Sequence, residues 1–145
     1  MLQPVTILLI EDEPADARLT QIALQRARLV NDLYIVTDGE QALDFLHQRG
    51  DYADAPRPDL VLLDLNLPRV SGYDVLAEIR ATEALTAIPV IVLTSSTASR
   101  DVLESYRRHA SCFISKPVQL EEFMEVIRAI EQFWFTIVKL PPTAN

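Results

Sequence analysis

A chain of 145 residues, 49% hydrophobic and 23% charged, has the size and balance of one globular domain with a real core. Its formal charge of −8 weighs against nucleic acid and against an anionic membrane surface as partners, because both demand clustered Lys and Arg. The single cysteine, Cys112, excludes an intrachain disulfide and a cysteine-rich zinc site, and its apolar neighbours make it a core thiol. No stretch reaches the ~20 apolar residues of a membrane span, and the N-terminus lacks a signal-peptide pattern, so a cytoplasmic protein is expected.

Residues 5–10 are apolar and β-branched and read as a buried strand, ending at Glu11-Asp12-Glu13. Pro14 suits the first turn of a helix, where its missing N–H costs nothing, and Leu19, Ile22, Ala23 and Leu29 follow with helical spacing. Residues 33–36 form a short strand. Thr37-Asp38-Gly39-Glu40 reads as a capping box opening a second helix through Ala42, Leu43, Phe45 and Leu46. Residues 50–58 are polar, carry two prolines and are expected to be exposed.

Residues 60–63 are uniformly apolar and run straight into Asp64, as in a strand buried on both faces. Ser71 and Asp74 frame a third helix through Val75, Leu76 and Ile79. Residues 90–93 form a fourth strand, Ser99 caps a fourth helix through Val102, Leu103 and Tyr106, and residues 112–114 form a fifth strand before a last helix. Five apolar runs alternating with five helical patterns predict an α/β fold: a doubly wound five-stranded parallel sheet with helices on both faces.

In such sheets ligands bind beyond the carboxyl ends of the strands. The strand ends here carry Glu11 and Asp12, Asp64, Thr94 and Lys116. Any one alone is most simply a solvated or capping residue. Five on one edge, in complementary types, point to a shared site. Three close carboxylates repel, and a hard divalent cation such as Mg²⁺ relieves that while leaving positions open for a phosphoryl oxygen. With an ammonium at Lys116 and a hydroxyl at Thr94, the group suits phosphoryl transfer, with Asp64 as nucleophile and an aspartyl phosphate as product.

The chain resembles a response-regulator receiver domain, of flavodoxin-like fold, over nearly its full length. The resemblance rests on Glu11-Asp12, Asp64 in LLDLNLP, Gly72, Thr94 in VIVLTSS and Lys116-Pro117 in FISKPV, in order and at matching spacing. It implies that Asp64 takes a phosphoryl group from a phosphohistidine on a sensor histidine kinase. It implies that Asp12, Asp64 and the carbonyl of Asn66 ligate Mg²⁺, with Glu11 acting through water. Lys116 would pair with the phosphoryl oxygens, Thr94 would swing toward them, and Phe113 would turn inward as the aromatic switch. Glu11 departs from the family's commoner Asp, and Phe113 from its frequent Tyr.

The last helix is greasier than one buried face needs. Leu120, Phe123, Ile127, Ile130 and Trp134 step at helical spacing, and Val126, Ala129 and Phe133 form a second stripe. Phe135, Ile137, Val138 and Leu140 follow. Either the tail folds back on its own core or it forms a partner surface. The tail FWFTIVKLP and the loop at residues 50–58 are similar to single-domain response regulators of bacterial phytochrome histidine kinases, in which this segment joins homodimer contacts. The expected organisation is a receiver domain over residues 1–135 and an extension over 136–145. A dimer is expected through Phe133, Trp134, Phe135, Ile137, Val138 and Leu140.

No length is left for a DNA-binding output domain, so a phosphorelay switch acting by protein contact is expected, promoting only its own phosphorylation and dephosphorylation. A Mg²⁺-dependent phosphohydrolase would need a substrate cap for which no insertion is large enough. A docking module that is never phosphorylated is disfavoured by the intact Asp12, Asp64, Thr94 and Lys116.

Overall fold

The structure, a computed structural model, describes residues 4–26, 30–95 and 112–116, together with helical positions 121, 122, 124, 125, 128 and 129. Five strands run in parallel: β1 (Val5–Ile10), β2 (Asn31–Val36), β3 (Leu60–Asp64), β4 (Val90–Ser95) and β5 (Cys112–Lys116). Among the described residues, three helices connect β1 to β4: α1 (Pro14–Arg26), α2 (Gly39–Leu46) and α3 (Gly72–Ala81). The sheet order is β2-β1-β3-β4-β5, the doubly wound arrangement expected. The chain winds one way from β1 to β2 and the other way from β2 onward. With right-handed crossovers this places α1 and the α2–α3 pair on opposite faces.

The core confirms that placement. Alternate residues of each central strand point to opposite faces. Leu8, Ile10, Val61, Leu63, Val90 and Val92 pack with Ala42, Phe45 and Leu46 of α2 and Val75, Leu76 and Ile79 of α3. Ile7, Leu9, Leu60, Leu62, Ile91 and Leu93 pack with Ala23 and Leu24 of α1, and Met124 of the C-terminal helix lies against the same cluster. Burial on both faces is why residues 7–10 of β1 and 60–63 of β3 are unbroken apolar runs rather than alternating ones.

β2 is the outer strand and starts at Asn31, two residues earlier than its apolar pattern indicates. An edge strand is half solvated: Tyr34 and Ile35 are exposed, and the pairing with β1 extends over the polar Asn31-Asp32. β3, β4 and β5 each run on to include a polar residue of the candidate site, because parallel pairing continues past the last apolar side chain.

Two local expectations are corrected. The N-cap of α2 is Asp38, not Thr37: Oδ1 of Asp38 accepts the Gln41 N–H at 2.7 Å. Gln41, not Glu40, reaches back, its Oε1 accepting the Thr37 N–H at 2.9 Å. A carboxylate caps at least as well as a hydroxyl, so the box slides by one residue.

The segment at residues 50–58 is not a free exposed loop. It contains a single 3-10 turn, Gly50–Tyr52; Tyr52 and Ala55 pack on the core, and Pro58 is buried. Positive φ at Gln48 (55°) and Gly50 (61°) folds the chain back. Tyr52 then stacks on Phe45 with ring centroids 5.5 Å apart. Arg57 donates to the Leu46 carbonyl at 2.8 Å, covering the end of α2. The expected fourth helix, the apolar stripe of the last helix and the tail residues Phe133, Trp134, Phe135, Ile137, Val138 and Leu140 lie outside the described residues.

Candidate functional site

The order β2-β1-β3-β4-β5 reverses its winding between β1 and β3, and the crevice outside their carboxyl ends is where ligands bind in such sheets. Parallel pairing sets Ile10 beside Leu63, so the next residues, Glu11 and Asp64, emerge together. One carboxylate oxygen each from Glu11, Asp12 and Asp64 lie within 4.8 Å of one another. Glu11 and Asp64 are 1% and 2% exposed, whereas Asp12 is open to solvent.

Local hydrogen bonds explain how the chain tolerates this. Oε2 of Glu11 accepts the Glu13 N–H at 3.2 Å, and Oδ1 of Asp64 accepts the Asn66 N–H at 3.0 Å. In both, the backbone N–H two residues on donates to the carboxylate, which fixes the path of the chain as it leaves the strand. They do not remove the mutual repulsion. At 4.8 Å and an effective dielectric of ~20, one carboxylate pair costs about 3–4 kcal/mol. Oxygen donors alone, negatively charged, partly solvated and convergent, fit a hard divalent cation of the Mg²⁺ or Mn²⁺ class.

Thr94 and Lys116 reach the same edge through backbone register. Asp64 pairs with Leu93, Thr94 with Ser115, and Ser95 with Lys116. Lys116 thus sits two strand spacings from β3, about 10 Å away, at the same carboxyl end. Phe113 pairs with Val92, inside β5. These are backbone placements; the side chains of Thr94, Phe113 and Lys116 lie outside the described set. Asn66 is exposed, and its amide is tied to Asp64.

Two glycines shape the rim: Gly72, which the sequence named only as part of the resemblance and gave no role, and Gly39, which it did not single out for the site. A Cβ on Gly72 would lie 2.2 Å from the Asp64 carbonyl oxygen and 2.5 Å from Leu65 Cα, so α3 starts in direct contact with the end of β3. A Cβ on Gly39 would lie 2.2 Å from the Val70 carbonyl oxygen, so α2 starts directly on the β3–α3 loop. The available signal was compositional: the chain has only 3 glycines, and a glycine directly after a helix N-cap is costly unless something approaches closely. The loop itself contains Arg69 at φ 63°, near Asp38 and Glu40 of α2.

The chain as a whole is similar to known proteins. Residues 7–128 match the response regulator receiver domain family. The response regulator Rcp1 of Synechocystis sp. is 45% identical over 138 residues, covering 95% of this chain and 94% of that protein. The crystal structure of the Mn(2+)-bound form of Rcp1 superposes with a TM-score of 0.79 over 95% of this chain and 99% of that one. The phosphorylated cyanobacterial phytochrome response regulator RcpA, 42% identical, superposes with a TM-score of 0.80 over 97% of this chain and 100% of that one.

Proposed function

Because the chain belongs to the response regulator receiver domain family, we propose that Asp64 is its phosphoacceptor and that Glu11, Asp12, Asp64 and the carbonyl of Asn66 hold Mg²⁺. The observation that carries this reading is the convergence of three carboxylates within 4.8 Å at the β1–β3 switch point, with Asp64 buried and its Oδ1 held by the Asn66 amide. Bound there, the cation neutralises carboxylate and phosphoryl charge.

The donor is a phosphohistidine on a sensor histidine kinase. An oxygen of Asp64 forms the new bond to phosphorus as the bond from phosphorus to the donor imidazole nitrogen breaks. The electron pair stays on that nitrogen, which then takes up a proton. The Asn66 N–H holds the Asp64 carboxylate in place and so lowers the orientational cost of in-line attack. Lys116 pairs with the phosphoryl oxygens as a mobile point charge, and Thr94 donates its hydroxyl to them. Thr94 and Phe113 then carry the change toward β4 and β5. The chain acts on no separate substrate: it promotes only its own phosphorylation and dephosphorylation.

The kinase is of phytochrome type, a reading supported by the likeness to RcpA over the whole of that chain. Output is by protein contact in the cytoplasm, without nucleic acid or a membrane surface, in keeping with the −8 charge. Among the described residues, no helix is long and apolar enough to cross a membrane. Residues 1–135 form the receiver domain and 136–145 an extension. Phe133, Trp134, Phe135, Ile137, Val138 and Leu140 supply a homodimer contact.

Incubation with Mg²⁺ and phosphoramidate, followed by intact mass measurement, tests the central claim. The full chain gains one phosphate and the D64N variant gains none. Absence of any adduct under all donor conditions would instead indicate a docking module, and rapid turnover of unrelated phosphate esters a hydrolase.

A further inference from the structure

The β3–α3 loop carries the residues next to Asp64, and it is gripped by an element that contributes no ligand. Arg69, at φ 63°, is one of two described non-glycine residues with left-handed backbone, an uncommon conformation for arginine. That conformation sends its guanidinium toward the first turn of α2. Nη1 lies 3.4 Å from Oε1 of Glu40, and Nη2 lies 3.9 Å from Oδ2 of Asp38. Asp38 serves two ends at once: its Oδ1 caps α2 while its Oδ2 faces Arg69. One residue along the loop, Val70 sits against Gly39 so closely that no Cβ fits between them.

The start of α2 also holds the other side of the acidic cluster. The Glu11 N–H donates to the Val36 carbonyl at 3.0 Å, where β2 passes into the α2 cap. Glu11 is thus held by strand pairing on both sides, to β2 through Val36 and to β3 beside Asp64, whereas the loop after Asp64 is tied to the α2 terminus through Arg69 and Val70. The β1–β3 pairs end at Ile10 and Leu63 and do not reach Asn66, whose carbonyl belongs to the proposed cation site, so the loop contacts hold that wall.

We propose that Arg69 is a positioning residue for divalent-cation binding: its contacts with Asp38 and Glu40 anchor the β3–α3 loop to α2 and so hold the Asn66 side of the site against the carboxylates that β1 and β3 bring together. The inference rests on the acidic cluster being a cation site. Arg69 touches neither the cation nor the phosphoryl group. The guanidinium is 68% exposed and its pair with Glu40 is open to water, while Asp38 is buried but 3.9 Å away, so its effect is modest and sensitive to salt.

The test is an Mn²⁺ titration of the full-length protein, with free ion followed by electron paramagnetic resonance, on wild type, R69A, R69K, R69G and E40Q. R69A raises the Mn²⁺ dissociation constant about two- to five-fold. R69K recovers most of that loss because the contacts are to single oxygens rather than a two-pronged pair. E40Q shows part of the R69A effect. R69G is the decisive variant. Glycine accepts positive φ freely, so R69G melts at or above R69A yet shares its weaker Mn²⁺ binding. A residue with only a structural role would not separate stability from affinity in this way. Phosphorylation by phosphoramidate slows in R69A at low Mg²⁺ and matches wild type at saturating Mg²⁺. In about 1 M KCl the affinity difference between wild type and R69A closes.

The inference is overturned if R69A and E40Q bind Mn²⁺ as wild type does, or if R69G binds it as tightly as wild type. A wild-type protein that binds no Mn²⁺ and accepts no phosphate would overturn the reading of the site itself, a distinct result.

Discussion

Gly72 and Asp64 are in contact through backbone: a Cβ at residue 72 would stand 2.2 Å from the Asp64 carbonyl oxygen. Neither neighbour can move cheaply, since Asp64 ends a central strand and Gly72 begins α3, anchored by its N–H to the Leu65 carbonyl at 3.1 Å. The helix and the acceptor strand are set by one close approach. The Ser71 Oγ caps the same helix through the Asp74 N–H at 3.3 Å, so its start is fixed from both sides.

It follows that G72A is disproportionately damaging for a one-methyl change. Overpacking against backbone costs about 1–3 kcal/mol, and here the displacement falls on Asp64. Urea denaturation should show that loss, and phosphorylation of the folded fraction should slow. A variant as stable and as reactive as wild type would show that α3 can shift without moving the acceptor strand.

Neutralising Asp64 has an effect whose sign depends on metal. In EDTA, D64N removes one charge from a repelling cluster and should raise stability by about 1–2 kcal/mol, well under the pairwise estimate because Asp12 is solvated. In Mg²⁺ the gap should close, because ligand at ten times its dissociation constant stabilises wild type by about 1.4 kcal/mol. Paired urea curves with EDTA and with Mg²⁺ check this. A variant less stable than wild type in EDTA would mean that the Asp64 charge is already compensated within the protein.

The dimer proposal makes the C-terminal extension separable from the acceptor chemistry. Deleting residues 136–145 should give a monomer by light scattering while leaving phosphorylation of Asp64 by phosphoramidate within about two-fold of wild type, because the acidic cluster is built from β1 and β3. A deletion variant that remains dimeric would place the interface elsewhere, and one that fails to accept phosphate would tie the tail to the receiver core.

What the sequence determined by itself is the part of the protein governed by periodicity and end chemistry. Unbroken apolar runs meant strands buried on both faces, and the polar residues closing them meant one chemically active edge. Glu11, Asp12 and Asp64 were legible because each lies within two residues of the end of such a run, and a parallel sheet delivers all its strand ends to one side. Segments whose burial depends on distant partners were not legible. Tyr52 reads as a polar-loop residue until Phe45 is seen beside it. Asp38 and Thr37 are equally good caps in sequence, and the backbone path leaving β2 chose between them. Gly39, Gly72 and Arg69 owe their meaning to the close approach of elements far apart in the chain, Gly39 to Val70 and Arg69 to Glu40 across about thirty residues. Local pattern can name the groups that do chemistry, because their chemistry is their own. The spacing at which those groups are held is a property of packed backbones, and only the folded chain decides it.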